Sequence, residues 1–161
     1  MDLLDRLLGH DASTTRQFLD IASGLSRDQL EREFDCGHRT VRATLEHIVW
    51  NVECWLDLMQ QRPVRDHIVR GPSIEDLLQR YETASGELFA FSRRIVDDGM
   101  LDSTYLDTLD EPPQPKTYGG TILHLATHGM HHRAQLRLMY RLLGLQNLPE
   151  GDALSWERLQ L

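Results

Sequence analysis

The sequence predicts an all-α fold, a four-helix bundle. Three observations carry the prediction. Apolar residues recur every three or four positions along four long segments, cap-forming residues stand where segments begin, and no segment alternates in the manner of a strand. At 161 residues the chain has the length of one domain around a single core, so residues 1–161 are read as one unit.

The elements follow in order. Residues 2 to 24 carry Leu4, Leu7, Leu8, Phe18, Ile21 and Ala22 at helical spacing and stop at Gly24. Ser26-Arg27-Asp28-Gln29 reads as a capping box that opens a short helix to about Glu33, and Phe34 to His38 is a turn. Thr40 is suited to cap the next helix, which runs to about Gln61 and is stopped by Pro63. That helix has two apolar stripes: Leu45, Ile48, Val52, Trp55 and Met59, and Ala43, His47, Trp50, Cys54 and Leu58. Two such stripes mean two covered surfaces, one by the core and one by a neighbouring helix or a second subunit.

A loop with Pro63, Gly71 and Pro72 leads to Ser73, whose side chain and acidic followers open a helix through Leu77, Tyr81, Ala84, Leu88, Phe91 and Ile95. It ends near residues 97 to 99. Residues 99 to 120, with Pro112, Pro113, Pro115, Gly119 and Gly120, form the longest irregular stretch, and loops of that length are usually functional or disordered. Thr121 is placed as the cap of the last long helix, which runs to about Leu143 before Gly144. Trp156 is expected to anchor the tail.

Composition excludes several functions. An apolar fraction of 40% and a charged fraction of 26% describe a soluble globular chain. The formal net charge of −8 repels nucleic-acid phosphates and anionic membrane surfaces, so neither is an expected partner. The arginines from Arg133 to Arg141 read as the solvated face and end of a helix. Cys36 and Cys54 make no CxxC pair, and Cys54 reads as a small buried hydrophobe. Acidic residues interrupt the positions where a secretory signal would be apolar, and no stretch approaches the ~18 apolar residues of a membrane helix, so the expected location is the cytoplasm.

The chemistry concentrates in the last helix. His124, His128, His131 and His132, half of the eight histidines, fall within nine residues. Imidazole is the commonest metal-binding side chain, and helix residues four apart share a face. That spacing fits both His124–His128 and His128–His132. The apolar stripe Leu125, Gly129, Leu136, Met139 and Leu143 separates them: His132 lies within it, His128 on its border, and His124 and His131 toward the flank. Imidazoles on an inward face must have partners for their nitrogens. Gly129 costs about 1 kcal/mol against alanine mid-helix, which suggests a close neighbour there. A third ligand must come from elsewhere, and the candidates are His47, His38, His10 and His67. A lone histidine on an apolar stripe, as His47 is, more often serves as a hydrogen-bonded core residue, so the residues alone leave the third ligand open.

The segment from His124 through His128 and His132 to Gln135, together with Leu45-Glu46-His47-Ile48 after Thr40-Val41-Arg42, resembles the DinB/YfiT-like superfamily across essentially the whole chain. Ala134 stands where that family often has glycine. The resemblance implies a four-helix bundle, often homodimeric, whose metal ligands are His47, His128 and His132. It also implies relatives that use low-molecular-weight thiols as transferases or isomerases.

Three imidazoles leave a divalent ion with open positions, the mark of a catalytic rather than a structural site. Nitrogen ligands suit zinc, nickel, iron or copper over magnesium or calcium, and zinc or nickel is the expected ion. Such an ion lowers the pKa of bound water to ~7 from ~15.7, and activates thiols likewise. The expected function is therefore a metal-dependent enzyme acting on a small molecule, of thiol S-transferase or hydrolase type. The alternative is a non-enzymatic metal-binding or stress-response bundle whose ion is structural or sensory. Glu46, Glu53 and Gln135 are candidate partners of the ligands, with surface positions equally open to the glutamates. The 99–120 stretch is a candidate cover for the site; Tyr118 within it could supply a proton donor, but a packed or exposed tyrosine is the expected reading.

Overall fold

A computed structural model describes residues 1–65 and 71–160. His67 lies outside the described residues. Four long helices dominate: α1 (Leu3–Ser23), α3 (Val41–Met59), α4 (Ile74–Asp97) and α5 (Tyr118–Leu142). Two short ones, α2 (Arg27–Glu31) and α6 (Ala153–Arg158), precede α3 and follow α5. Among the described residues no helix is long and apolar enough to cross a membrane.

The predicted caps are present. Ser26 and Ser73 each form a capping box, and the Thr40 side chain accepts from Ala43 N–H. α1 closes on Gly24. One start differs. The cap of α5 is Thr117, four residues before Thr121, with its hydroxyl accepting from Gly120 N–H. Gly119 and Gly120 therefore belong to a helix rather than a loop. A Cβ on Gly119 would lie 3.1 Å from the Leu101 carbonyl oxygen, so glycine serves close packing there.

The 99–120 stretch is also more ordered than its composition suggests. Strands β1 (Thr104–Asp107) and β2 (Gln114–Thr117) pair antiparallel, with Tyr105 opposite Lys116. Tyr105 and Asp107 point inward, and β1 packs on α3. The second apolar stripe of α3 is thus covered within the chain at Cys54 and Leu58, while Ala43, His47 and Trp50 are half-buried.

Side-chain partners fix the helix directions. Arg93 near the end of α4 pairs with Asp2 and Asp5 at the start of α1, so these helices are antiparallel. Asp11 meets Arg133 and Phe18 stacks on Tyr140, so α1 and α5 are parallel. Thr44 meets Met139 and Trp55 meets His124, so α3 and α5 are antiparallel. Arg42 bonds the Pro72 carbonyl and Glu53 pairs with Arg80, so α3 and α4 run the same way. In chain order the bundle runs up, down, down, up. A bundle with one parallel sequential pair needs one long return connection, here between Met59 and Ile74. Each long helix packs on two others: α1 and α3 lie diagonally, as do α4 and α5. Phe18, Leu45, Leu56, Leu77, Leu136 and Met139 fill the shared core.

Candidate metal centre

The antiparallel seam between α3 and α5 assembles the histidines. His47 sits on the second turn of α3; His128 and His132 occupy successive turns of α5 and share a face. Nε2 of His128 lies 3.2 Å from Nε2 of His47 and 3.1 Å from Nε2 of His132. His132 is buried, His47 and His128 are half-buried, and His124 and His131 are exposed. The structure therefore brings together the three residues that the sequence and the family resemblance single out.

Gln135 fixes the proton on one of them. Its Oε1 lies 2.8 Å from Nδ1 of His132. A carbonyl oxygen only accepts, so Nδ1 carries the proton and Nε2 presents a lone pair. The Gln135 amide group in turn donates to Nε2 of His131 at 3.0 Å. A single proton on His128 Nε2 makes one good hydrogen bond, to His47 or to His132, and leaves the other facing pair without one. A cation among these nitrogens removes the conflict. Ligand nitrogens around a tetrahedral zinc-sized ion, with bonds of about 2.0–2.1 Å, stand about 3.3 Å apart, close to the spacings here.

The electrostatics favour the ligating form. Burial, reinforced by the neighbouring imidazoles, lowers the pKa of His128 to about 4. Burial also lowers His132, against the opposing pull of its Gln135 hydrogen bond. Both shifts favour the neutral form, the one that binds a metal.

A fourth histidine joins the cluster. His38, in the turn before α3, stacks on His47 with ring centroids 3.9 Å apart, and its centroid lies 5.2 Å from that of His132. Ligand nitrogens of His38, His47 and His132 all fall within 4.8 Å of one another. The sequence offers His38, a turn residue, among the candidates for a third ligand, and the resemblance favours His47 over it. The remaining candidate lies elsewhere: Nε2 of His10 is 2.9 Å from the Gly151 carbonyl, and its ring packs edge-on to Trp156, which anchors the tail as expected.

Tyr118 is a packed tyrosine, as expected, buried against Tyr105 and Phe91. Two other expectations need correction. Glu53 is 3% exposed and is held by Arg80 at 2.5 Å, so it is neither a surface group nor a partner of the histidines. Arg133 is not solvated. It is 4% exposed and pairs with Asp11, while also donating to Thr15 Oγ1 at 2.8 Å. Gly129 makes room for this pair: a Cβ there would lie 2.6 Å from Asp11 Oδ1 and 2.8 Å from Arg133 Nη1. Sequence reasoning missed Asp11, although Leu8, Asp11, Thr15, Phe18 and Ala22 place a carboxylate on the buried face of α1. Cys54 is a buried hydrophobe as expected, with burial pushing its thiol up to about 11.

Fold and site together define a helical bundle with an imidazole cluster built across an antiparallel helix seam. The description of the DinB superfamily matches residues 11–136, and the chain belongs to that superfamily. Two solved structures are similar. A DinB-like protein from Bacillus cereus ATCC 10987 is 22% identical with a TM-score of 0.65, over 88% of this chain and 90% of that one. A protein assigned to the DinB family from Exiguobacterium sibiricum 255-15 is 21% identical with a TM-score of 0.67, over 92% of this chain and 95% of that one. At this identity they bear on the fold. No curated protein matches the chain in sequence.

Proposed function

We propose that the chain binds a divalent transition metal, zinc or nickel, through His47, His128 and His132, and that it is a metal-dependent enzyme acting on a small molecule by thiol S-transfer or hydrolysis. The observation that carries the reading is the convergence of three Nε2 atoms, two of which face the third at 3.2 and 3.1 Å. Gln135 orients His132, and burial favours the neutral form of His128 and His132. When bound, the ion supplies acidification of water or of a low-molecular-weight thiol near neutral pH. The chain's part is to orient the ligands and keep one side of the cluster against its core.

A second reading has its own support. His38 offers a further nitrogen within 4.8 Å of those of His47 and His132, and four protein ligands are typical of structural zinc sites. On that reading the ion is structural or sensory. The two separate by assay. Protein stripped with chelator and reloaded with Zn²⁺ or Ni²⁺ is tested for conjugation of a thiol to an electrophilic small molecule and for ester hydrolysis. Activity that is lost in His128→Ala and kept in His124→Ala supports the enzyme. One tightly held ion per chain with neither activity supports the structural reading.

We also place the protein in the cytoplasm as a homodimer. Leu123, Met130 and Leu138 are exposed at spacings that share one face of α5, an apolar line suited to a second copy.

A further inference from the structure

His38 differs from the other three clustered histidines in what carries it. They ride on long helices, whereas His38 stands on an exposed turn between Gly37, with φ +49°, and Arg39, with φ +70°. Glycine adopts such a conformation freely; arginine does so rarely, and residues forced into it gather at functional sites. The turn is tied down on both sides. Phe34 N–H donates to the Arg39 carbonyl at 2.7 Å, Arg39 N–H to the Cys36 carbonyl at 3.0 Å, and Thr40 N–H to the His38 carbonyl at 2.9 Å. Thr40 then caps α3.

The turn is also fitted to the site. A Cβ on Gly37 would lie 2.3 Å from Oε1 of Gln135, the oxygen that accepts from His132. The missing side chain lets the backbone press on the group that orients a ligand, and one residue later the His38 ring lies flat on His47. An exposed turn needed only to link two helices has no use for this approach.

Building on the metal reading above, we propose that His38 is a fourth, displaceable metal ligand. Its imidazole fills the coordination position that the three helix-borne histidines leave open, and a small-molecule ligand enters by taking that position from it. The exchange is a substitution: one nitrogen lone pair leaves, a thiol sulfur takes its place, and the thiol proton passes to solvent. His38 is the one to yield, because moving it displaces a turn rather than a helix.

Cobalt(II) provides the test, since its visible absorption reports coordination number. Full-length, metal-stripped wild type, His38→Ala and Arg39→Gly are loaded with Co²⁺ and titrated with 2-mercaptoethanol. Wild type and Arg39→Gly are expected to share the intense bands of a four-coordinate site, and His38→Ala to show altered bands. Thiol should produce a sulfur-to-cobalt band in all three. If His38 holds its position about nine-tenths of the time, half-saturation needs about tenfold less thiol in His38→Ala. Unfolding of the metal-free variants, expected to match wild type, confirms that each is folded. Identical spectra and thiol affinities for wild type and His38→Ala would overturn the proposal while leaving the three-histidine site standing. A thiol response confined to His38→Ala would overturn displacement and make His38 a fixed ligand. Failure of wild type to bind Co²⁺ would remove the metal reading itself.

Discussion

Consecutive residues of α5 serve two polar clusters of opposite character. Arg133 turns toward α1, where Asp11 balances its charge, Thr15 accepts a hydrogen bond and the Tyr81 hydroxyl lies 3.3 Å from Asp11 Oδ2. His132 turns toward α3, where imidazole nitrogens face one another at 3.1 and 3.2 Å. In the first cluster a guanidinium meets a carboxylate and a hydroxyl acceptor. In the second, like groups face like, and one proton on His128 Nε2 serves only one of its two contacts well. A buried polar group is tolerable when satisfied and costly when not. The Asp11–Arg133 pair holds α5 against α1, whereas the histidine seam is the site for which metal binding is proposed.

Breaking the first cluster gives the largest effect. Asp11→Ala leaves the Arg133 charge buried and unpaired, at a cost of about 3–5 kcal/mol. Urea denaturation of chelator-treated protein measures it, and the loss should be the same with and without added metal. An equal loss from Thr127→Ala, an exposed position on α5, would remove the special role of the pair.

Gly129→Ala sharpens the same side. Alanine gains about 1 kcal/mol in helix propensity, but its Cβ runs into Asp11 and Arg133, and overpacking costs about 1–3 kcal/mol. The expected outcome is net destabilisation in the same denaturation experiment. Stabilisation would mean that the pair moves aside freely.

The histidine side predicts a pH dependence. The folded pKa of His128 is lowered to about 4, chiefly by burial, and that of His132 is lowered too, against ~6.5 for both in the unfolded chain. Between those values the unfolded chain binds more protons, so the stability of the metal-free protein rises with pH from about 4 to 6.5 and this contribution is flat above. Partial exposure of His128 and solvent screening limit it to about 1 kcal/mol. Denaturation at pH 5 and pH 7.5 reads the slope, which His128→Gln should flatten. An unchanged slope would place the titration elsewhere.

The fold was legible where local chemistry decides. Ser26, Thr40 and Ser73 announce helix starts because their side chains bond backbone a few residues on. Thr117 was not legible as a cap, because the Gly119-Gly120 pair looks like a loop until Leu101 is known to lie against it. The hairpin was hidden by its short strands and by Pro115 within β2. In the site, His128 and His132 were readable from helical periodicity, and His47 from its stripe with the family resemblance. His38 was readable only as one candidate among several, since its place depends on positive φ at Gly37 and Arg39 and on the contact of Gly37 with Gln135, nearly a hundred residues away. Asp11 was within reach on the buried face of α1, but its partner Arg133 looked like part of a solvated arginine run.

The most direct test of the central claim is a metal titration followed by thermal unfolding, on tag-free protein stripped with chelator. Wild type is compared with His47→Ala, His128→Ala and His132→Ala, with His124→Ala as control. At a hundredfold excess over Kd, a ligand that binds only the folded state adds about 2.7 kcal/mol, enough to raise Tm by several degrees. The account predicts that Zn²⁺ or Ni²⁺ raises Tm in wild type and His124→Ala and in none of the other three. A uniform response across all five proteins, or none in any, would contradict it.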